Sequence, residues 1–132
     1  MNFLNLTKDG GPESTVWAYW LFEAKRFCSV ALLRFEDGSR DAYHDHAFNS
    51  ISWVLTGELN EIRIGWDSPG LYTHTLSLRP ILTSRTHLHK VVSRGRTWVL
   101  TFRGPWARTW HEWAGGSSRR LGWGRVAKET LQ

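Results

Sequence analysis

The chain has one cysteine, Cys28, in 132 residues. A lone thiol excludes an internal disulfide and any zinc site built on cysteine pairs. Its place in the run Phe27-Cys28-Ser29-Val30-Ala31 reads as a buried core thiol. No apolar run reaches membrane-spanning length, so no membrane partner is expected. Residues 1–11 lack the basic start and apolar stretch of a secretory signal. Together these absences point to a reducing cytoplasm. There is no internal repeat and no low-complexity segment.

What is present frames a single globular domain over residues 1–132. Hydrophobic residues make up 41% of the chain, which excludes a disordered protein, and the length suffices for a real core. Residues 1–15 read as a polar lead-in broken at Gly10-Gly11-Pro12, and residues 114–132 as a basic C-terminal tail. The formal net charge is +5, mostly from arginine. Such a balance suits an anionic ligand or nucleic acid, and equally a plain soluble surface.

Short β-type runs recur between turn residues. Residues 16–35 hold one or two strands, followed by a turn at Glu36-Asp37-Gly38-Ser39. The strongest strand signal covers residues 50–64, with Gly57 read as the turn between two hairpin strands. Trp66 to Gly70 reads as a turn, residues 72–78 alternate cleanly, and residues 89–92 and 97–102 flank a turn at Ser93-Arg94-Gly95-Arg96. Strands at this spacing predict an all-β sandwich or barrel. Near the C-terminus, Trp106, Trp110 and Trp113 follow Gly104-Pro105 at helical spacing and precede Gly115-Gly116. That pattern spells a short C-terminal helix, and a strand reads equally well.

The chemistry centres on His44-Asp45-His46. Residues two apart on a strand point to one face, so the two imidazoles converge. A third ligand from a neighbouring strand would close three sides of a metal site and leave the rest open, as a reactive centre requires. His89 is the candidate; His87 shares its parity. Asp45 points away from the metal by the same parity, toward a loop or a neighbour. Ser50 shares the parity of the histidine pair and could bond a metal-bound water. Glu61 supplies a carboxylate if it faces inward. Arg85 and Arg103 could each grip a carboxylate or phosphate at the barrel mouth, or form surface ion pairs. His74 reads as packed or hydrogen-bonded, and His111 as a surface or packing residue. The tryptophans read mainly as core or interface. With Arg94, Arg96, Arg108, Arg119, Arg120 and Arg125 they could also form a stacking platform for bases.

The stretch from His44-Asp45-His46 through Ser50 to Gly57 resembles the first motif of the cupins. That motif has two histidines, a glutamate four residues after the second, and a glycine seven after that. Ser50 stands where the glutamate ligand would be. The second cupin motif supplies one more histidine, and His89 matches it within Arg85-Thr86-His87-Leu88-His89-Lys90-Val91, with Pro80 further upstream than usual. The chain is most similar to small cupins of bacteriophages and prophages, over about residues 27–113. Phe48, Ser50, Gly57, Arg85, His89-Lys90-Val91, Trp98, Gly104-Pro105, Trp110 and Trp113 carry that resemblance. It implies a double-stranded β-helix, that is, a jelly-roll barrel. It also implies a divalent transition metal on His44, His46 and His89, with iron first and zinc, manganese or nickel as substitutes. The cofactor reading leads to an oxygenase or related enzyme acting on a small anionic molecule, with Ser50, Glu61 and Arg85 as candidate catalytic residues. The alternative is a binding protein that sequesters a nucleotide or nucleic acid. Cupins are often homodimers, and the resemblance carries that expectation too.

Overall fold

The computed structural model describes residues 2–9, 14–38, 43–64, 70–114, 117–122 and 127–131. Gly10-Gly11-Pro12, Ser39, residues 66–69 and Gly115-Gly116, all read as breakers or turns, lie outside them. The described elements are β1 (Asn2–Lys8), β2 (Val16–Ala24), β3 (Cys28–Phe35), β4 (Tyr43–His44), β5 (Ser50–Ile64), β6 (Gly70–His74), β7 (Ile81–Thr83), β8 (Leu88–Arg103), β9 (Thr109–Ala114), β10 (Ser117–Gly122) and β11 (Ala127–Leu131). All are strands, as the spacing of turns and β-branched runs requires.

Every pairing is antiparallel. The ladder runs β1-β2-β3-β8-β4-β9-β10-β11, with β5 against β8, and with β6 and β7 against β5. The long strands β5 and β8 organise it. They pair from Ser50↔Arg103 at one end to Ile64↔Leu88 at the other. β3 takes residues 97–103 of β8, and β4 pairs with it at His44↔His89. On β8 the inward row is odd-numbered throughout: His89, Ser93, Thr97, Val99, Thr101 and Arg103 are all buried.

β5 is different. Its inward residues are even before Gly57 (Ser50, Ser52, Val54) and odd after it (Leu59, Glu61). A strand with strict period two would put Ser50 and Glu61 on opposite faces. The register shifts between Val54 and Glu58 change the parity. Gly57 therefore lies inside a strand and not, as expected, in a hairpin turn. Its φ is +90°, and a Cβ there would lie 2.7 Å from the Arg96 carbonyl oxygen and 2.8 Å from Thr97 Cα. Only glycine fits both the backbone conformation and the close approach of β8.

The core lies inside this wrap: Val16, Ala18, Trp20, Ala31, Leu33, Phe48, Val54, Leu59, Val99 and Trp106. Trp20 is 1% exposed, and its indole Nε1 donates to Thr7 Oγ1 at 2.8 Å. That bond also ties β1, within the segment read as a lead-in, to the core. A strand at the sheet edge carries little burial signal, since Phe3, Leu4 and Leu6 are exposed. Two other expectations change, and one choice left open is decided. The run at 72–78 pairs only as far as Leu59↔His74, leaving Leu76 and Leu78 exposed beyond it. The region after Pro105 forms strand β9, not a helix, because β4 and β10 flank it on both sides. Cys28 is exposed, at the first position after the β2–β3 turn.

Candidate metal centre

Three imidazoles meet at one end of the interior. His44 lies on β4 directly opposite His89 on β8. His46 follows two residues later, held by its N–H donating to the Arg85 carbonyl at 3.0 Å. The ring centroids form a nearly equilateral triangle: 5.0 Å for His44–His46, 4.9 Å for His44–His89 and 4.6 Å for His46–His89. The interplanar angles are 68°, 69° and 72°, so the rings stand like the blades of a propeller. One ligand atom of each lies within 4.8 Å of the others.

The spacing fits a divalent metal. His46 Nε2 and His89 Nε2 are 3.0 Å apart. Two nitrogens bound at about 2.1 Å, with bonds at right angles, would also be about 3.0 Å apart. The protonation state fits as well. Burial, reinforced by the charges at His44, His89, Arg103 and His87, holds His46 well below the ordinary histidine pKa. A neutral imidazole is the form a metal takes. His46 Nδ1 is buried and has no hydrogen-bond partner among the described residues.

Glu61 is the residue around which the site is organised. It is 2% exposed, and it accepts hydrogen bonds from His74 Nε2 at 2.9 Å, Arg63 Nε at 3.0 Å and His89 Nδ1. Burial alone would raise its carboxyl pKa. The hydrogen bonds from His74 and His89, with the charges at His89 and Arg63, outweigh burial and hold it well below the usual carboxylate range. Glu61 also forms a second group of potential ligands with His87 and His89. His87 Nε2 stands 3.9 Å from Glu61 Oε2. The direction of His89 separates the two groups. Its Nδ1 hydrogen is given to Glu61, which leaves the Nε2 lone pair facing His46. A carboxylate on the far nitrogen is the usual way to fix the tautomer of a metal-binding histidine.

A cavity of about 160 Å³ extends from this cluster. Ser50 lines it, half-buried and paired with both Thr83 and Arg103. Arg85 does not: its side chain is exposed, and its backbone braces His46 and donates to Asn49 Oδ1 at 2.6 Å. Asp45 turns toward β9, where it accepts from the His111 N–H at 2.6 Å and faces His111 Nδ1 at 3.2 Å. Arg103 lies inside the cavity wall, not on the surface, with Asp9 as its partner. Asp9 gave no signal in the sequence, because 94 residues separate the pair.

No protein-family model matches the chain, and no curated protein matches it. Solved structures do. An RmlC-like cupin from Shewanella frigidimarina is 14% identical, with a TM-score of 0.58 over 77% of this chain and 84% of its own. The fold is the cupin double-stranded β-helix. A cupin-superfamily sugar phosphate isomerase from Silicibacter pomeroyi superposes with a TM-score of 0.59 at 15% identity, covering 83% of this chain and 73% of that one. Fe(II) HppE gives a TM-score of 0.60 at 16% identity over 75% of this chain, which spans 55% of that protein's length. Cupins with different activities share the barrel, so the fold does not choose among them.

Proposed function

We propose that this cupin is a metal-dependent protein that acts on a small anionic molecule, with a divalent transition metal, iron first, on His44, His46 and His89. One observation carries the reading: three imidazoles in a propeller, with two of their Nε2 atoms 3.0 Å apart and the far nitrogen of His89 given to Glu61. When bound, such a metal supplies Lewis acidity and, as iron, the redox capacity for oxygen chemistry. The Fe(II) of HppE, a structure that shares the barrel, is the ground for placing iron first.

The chain's own residues have distinct tasks in this reading. Glu61 keeps the proton on His89 Nδ1 and so keeps Nε2 available. Ser50 presents a hydroxyl to a ligand water or substrate oxygen in the cavity. Phe48, Trp106 and Trp110 keep that space apolar. Three neutral imidazoles leave the ion's charge uncompensated, which favours anions. For the nucleic-acid alternative, Arg94 and Arg96 are exposed beside Glu58 and Glu36, and the side chains of Arg119, Arg120 and Arg125 lie outside the described residues.

Elemental analysis of protein purified without chelator tests the proposal. About one transition-metal ion per chain is expected. His44→Ala, His46→Ala and His89→Ala should each lower that content severely, since two imidazoles hold an ion weakly. Full occupancy in His44→Ala would sink the assignment. Loss on His87→Ala with none on His89→Ala would move the site to the second group.

A further inference from the structure

Arg103 is the last residue of β8, 5% exposed and on the strand's inward row. Its guanidinium carbon lies 4.3 Å from the centre of the Phe48 ring and 5.3 Å from that of Trp20. Those contacts fix the plane of the group. Both terminal nitrogens are engaged by one carboxylate: Nη1 donates to Asp9 Oδ1 at 3.0 Å and Nη2 to Asp9 Oδ2 at 2.7 Å. The third edge of the fork differs. Arg103 Nε is buried and has no partner among the described residues.

The two partners are held unequally. Arg103 belongs to a strand paired on both sides, with Ser29 and with Ser50. Asp9 follows the end of β1, which pairs only with β2 among the described residues. Its backbone is pinned, N–H to the Val16 carbonyl at 2.8 Å, but its side chain is 20% exposed. The carboxylate can therefore turn toward water without moving the chain. The arginine cannot follow it, and a buried guanidinium cannot stay unpaired at low cost. Only another anion can take the place of Asp9.

We propose that Arg103 is the anion-binding residue of this cavity and that Asp9 holds the place of the ligand's acidic group. The proposal rests on reading the cavity as the substrate site. The ligand class is a small carboxylate, phosphonate or phosphate monoester, the groups that a planar guanidinium grips with two parallel bonds. A cavity of about 160 Å³ is smaller than that of drug-sized ligands, for which about 300 Å³ is the lower end. The position is also informative. Phe48 carries Arg103 on one contact and the His46 ring on another, at 5.8 Å between centroids. A molecule anchored by its anion at Arg103 thus extends toward the three histidines. Arg85, exposed and outside the cavity lining, has no such path.

Inorganic phosphate is the probe, titrated by calorimetry with chelator present and at fixed salt. Asp9→Asn keeps the size of the side chain, removes the competing charge and turns one of the two acceptors of Arg103 into a donor. It should bind phosphate at least about tenfold more tightly than the native chain, because the site is no longer self-occupied. Asp9→Asn combined with Arg103→Lys should lose that gain, since an ammonium lacks the fork. A folded Asp9→Asn protein with native affinity, or a double variant as tight as Asp9→Asn, overturns the proposal. If Asp9→Asn does not fold, the ¹⁵N signal of Arg103 Nε in the native protein is followed instead. It should shift on phosphate addition, and no shift at saturation overturns the proposal. With chelator throughout, these results do not depend on a metal at the histidines. Failure here and failure of the metal assignment are thereby separate outcomes.

Discussion

Replacing Glu61 by glutamine tests most directly how the buried polar cluster is built. The substitution keeps the shape and removes the charge. One carboxylate oxygen becomes an amide NH₂ in a place where every neighbour is a donor: His74 Nε2 at 2.9 Å, Arg63 Nε at 3.0 Å and His89 Nδ1. At least one donor is left facing another. Breaking a buried ion pair from one side costs on the order of 3–5 kcal/mol. The Arg63 side chain is 16% exposed and recovers some hydration, so the lower end, about 3 kcal/mol, applies. For a domain of this length that corresponds to a fall in melting temperature of about 10 °C. The pH dependence follows from the sign of the shift. The folded carboxyl titrates well below its ordinary value of 4.5, so its contribution is fully present above that pH and is lost as pH falls toward the folded value. Urea unfolding of metal-stripped native and Glu61→Gln proteins, between pH 7 and pH 3, should show a gap that is constant above about pH 5 and narrows below. The metal affinity of the variant should fall by about 10- to 100-fold, through loss of the His89 tautomer. Equal stabilities at pH 7, or a gap that does not narrow in acid, would refute the reasoning.

Two further outcomes are expected. Gly57→Ala should destabilise by about 3 kcal/mol or more, since the new Cβ meets the Arg96 carbonyl and Thr97 at a φ of +90°. Gly95→Ala should cost only about 1 kcal/mol, because its φ is +69° but nothing lies within 4 Å; urea midpoints of the two variants compare them, and similar losses would contradict the close-approach argument. His46 is held neutral by burial and takes its proton only on unfolding, so the metal-free protein should lose stability from about pH 6.5 downward. His46→Gln should flatten that limb, and an unchanged slope would show that another group sets it.

The histidine pair was legible because it is local. Two residues apart on one strand is a statement about parity, and parity survives in a sequence. Glu61 was undecided because its direction depends on the register shift around Gly57, seven residues after Ser50, and the shift is set by contact with β8. The tryptophan spacing at 106, 110 and 113 suited a helix as well as a strand. Pairing with β4 and β10, which no local window contains, decides for the strand. The Asp9–Arg103 pair joins the first described strand to the end of the eighth. Nothing near either residue announces the other.

The buried charges already described come in opposite pairs: Glu61 with Arg63, and Arg103 with Asp9. An interior balanced in this way has no standing demand for either a cation or an anion. Each would enter at the expense of the balance, and each would restore what the other disturbs. Their affinities are therefore tied by thermodynamic reciprocity: whatever factor a bound anion lends to the cation, the cation must lend to the anion. Uptake is then cooperative between unlike charges. At low concentrations of both, the barrel stays empty or fills as a neutralised set, and a chelator competition run with and without phosphate would measure the shared factor from either side.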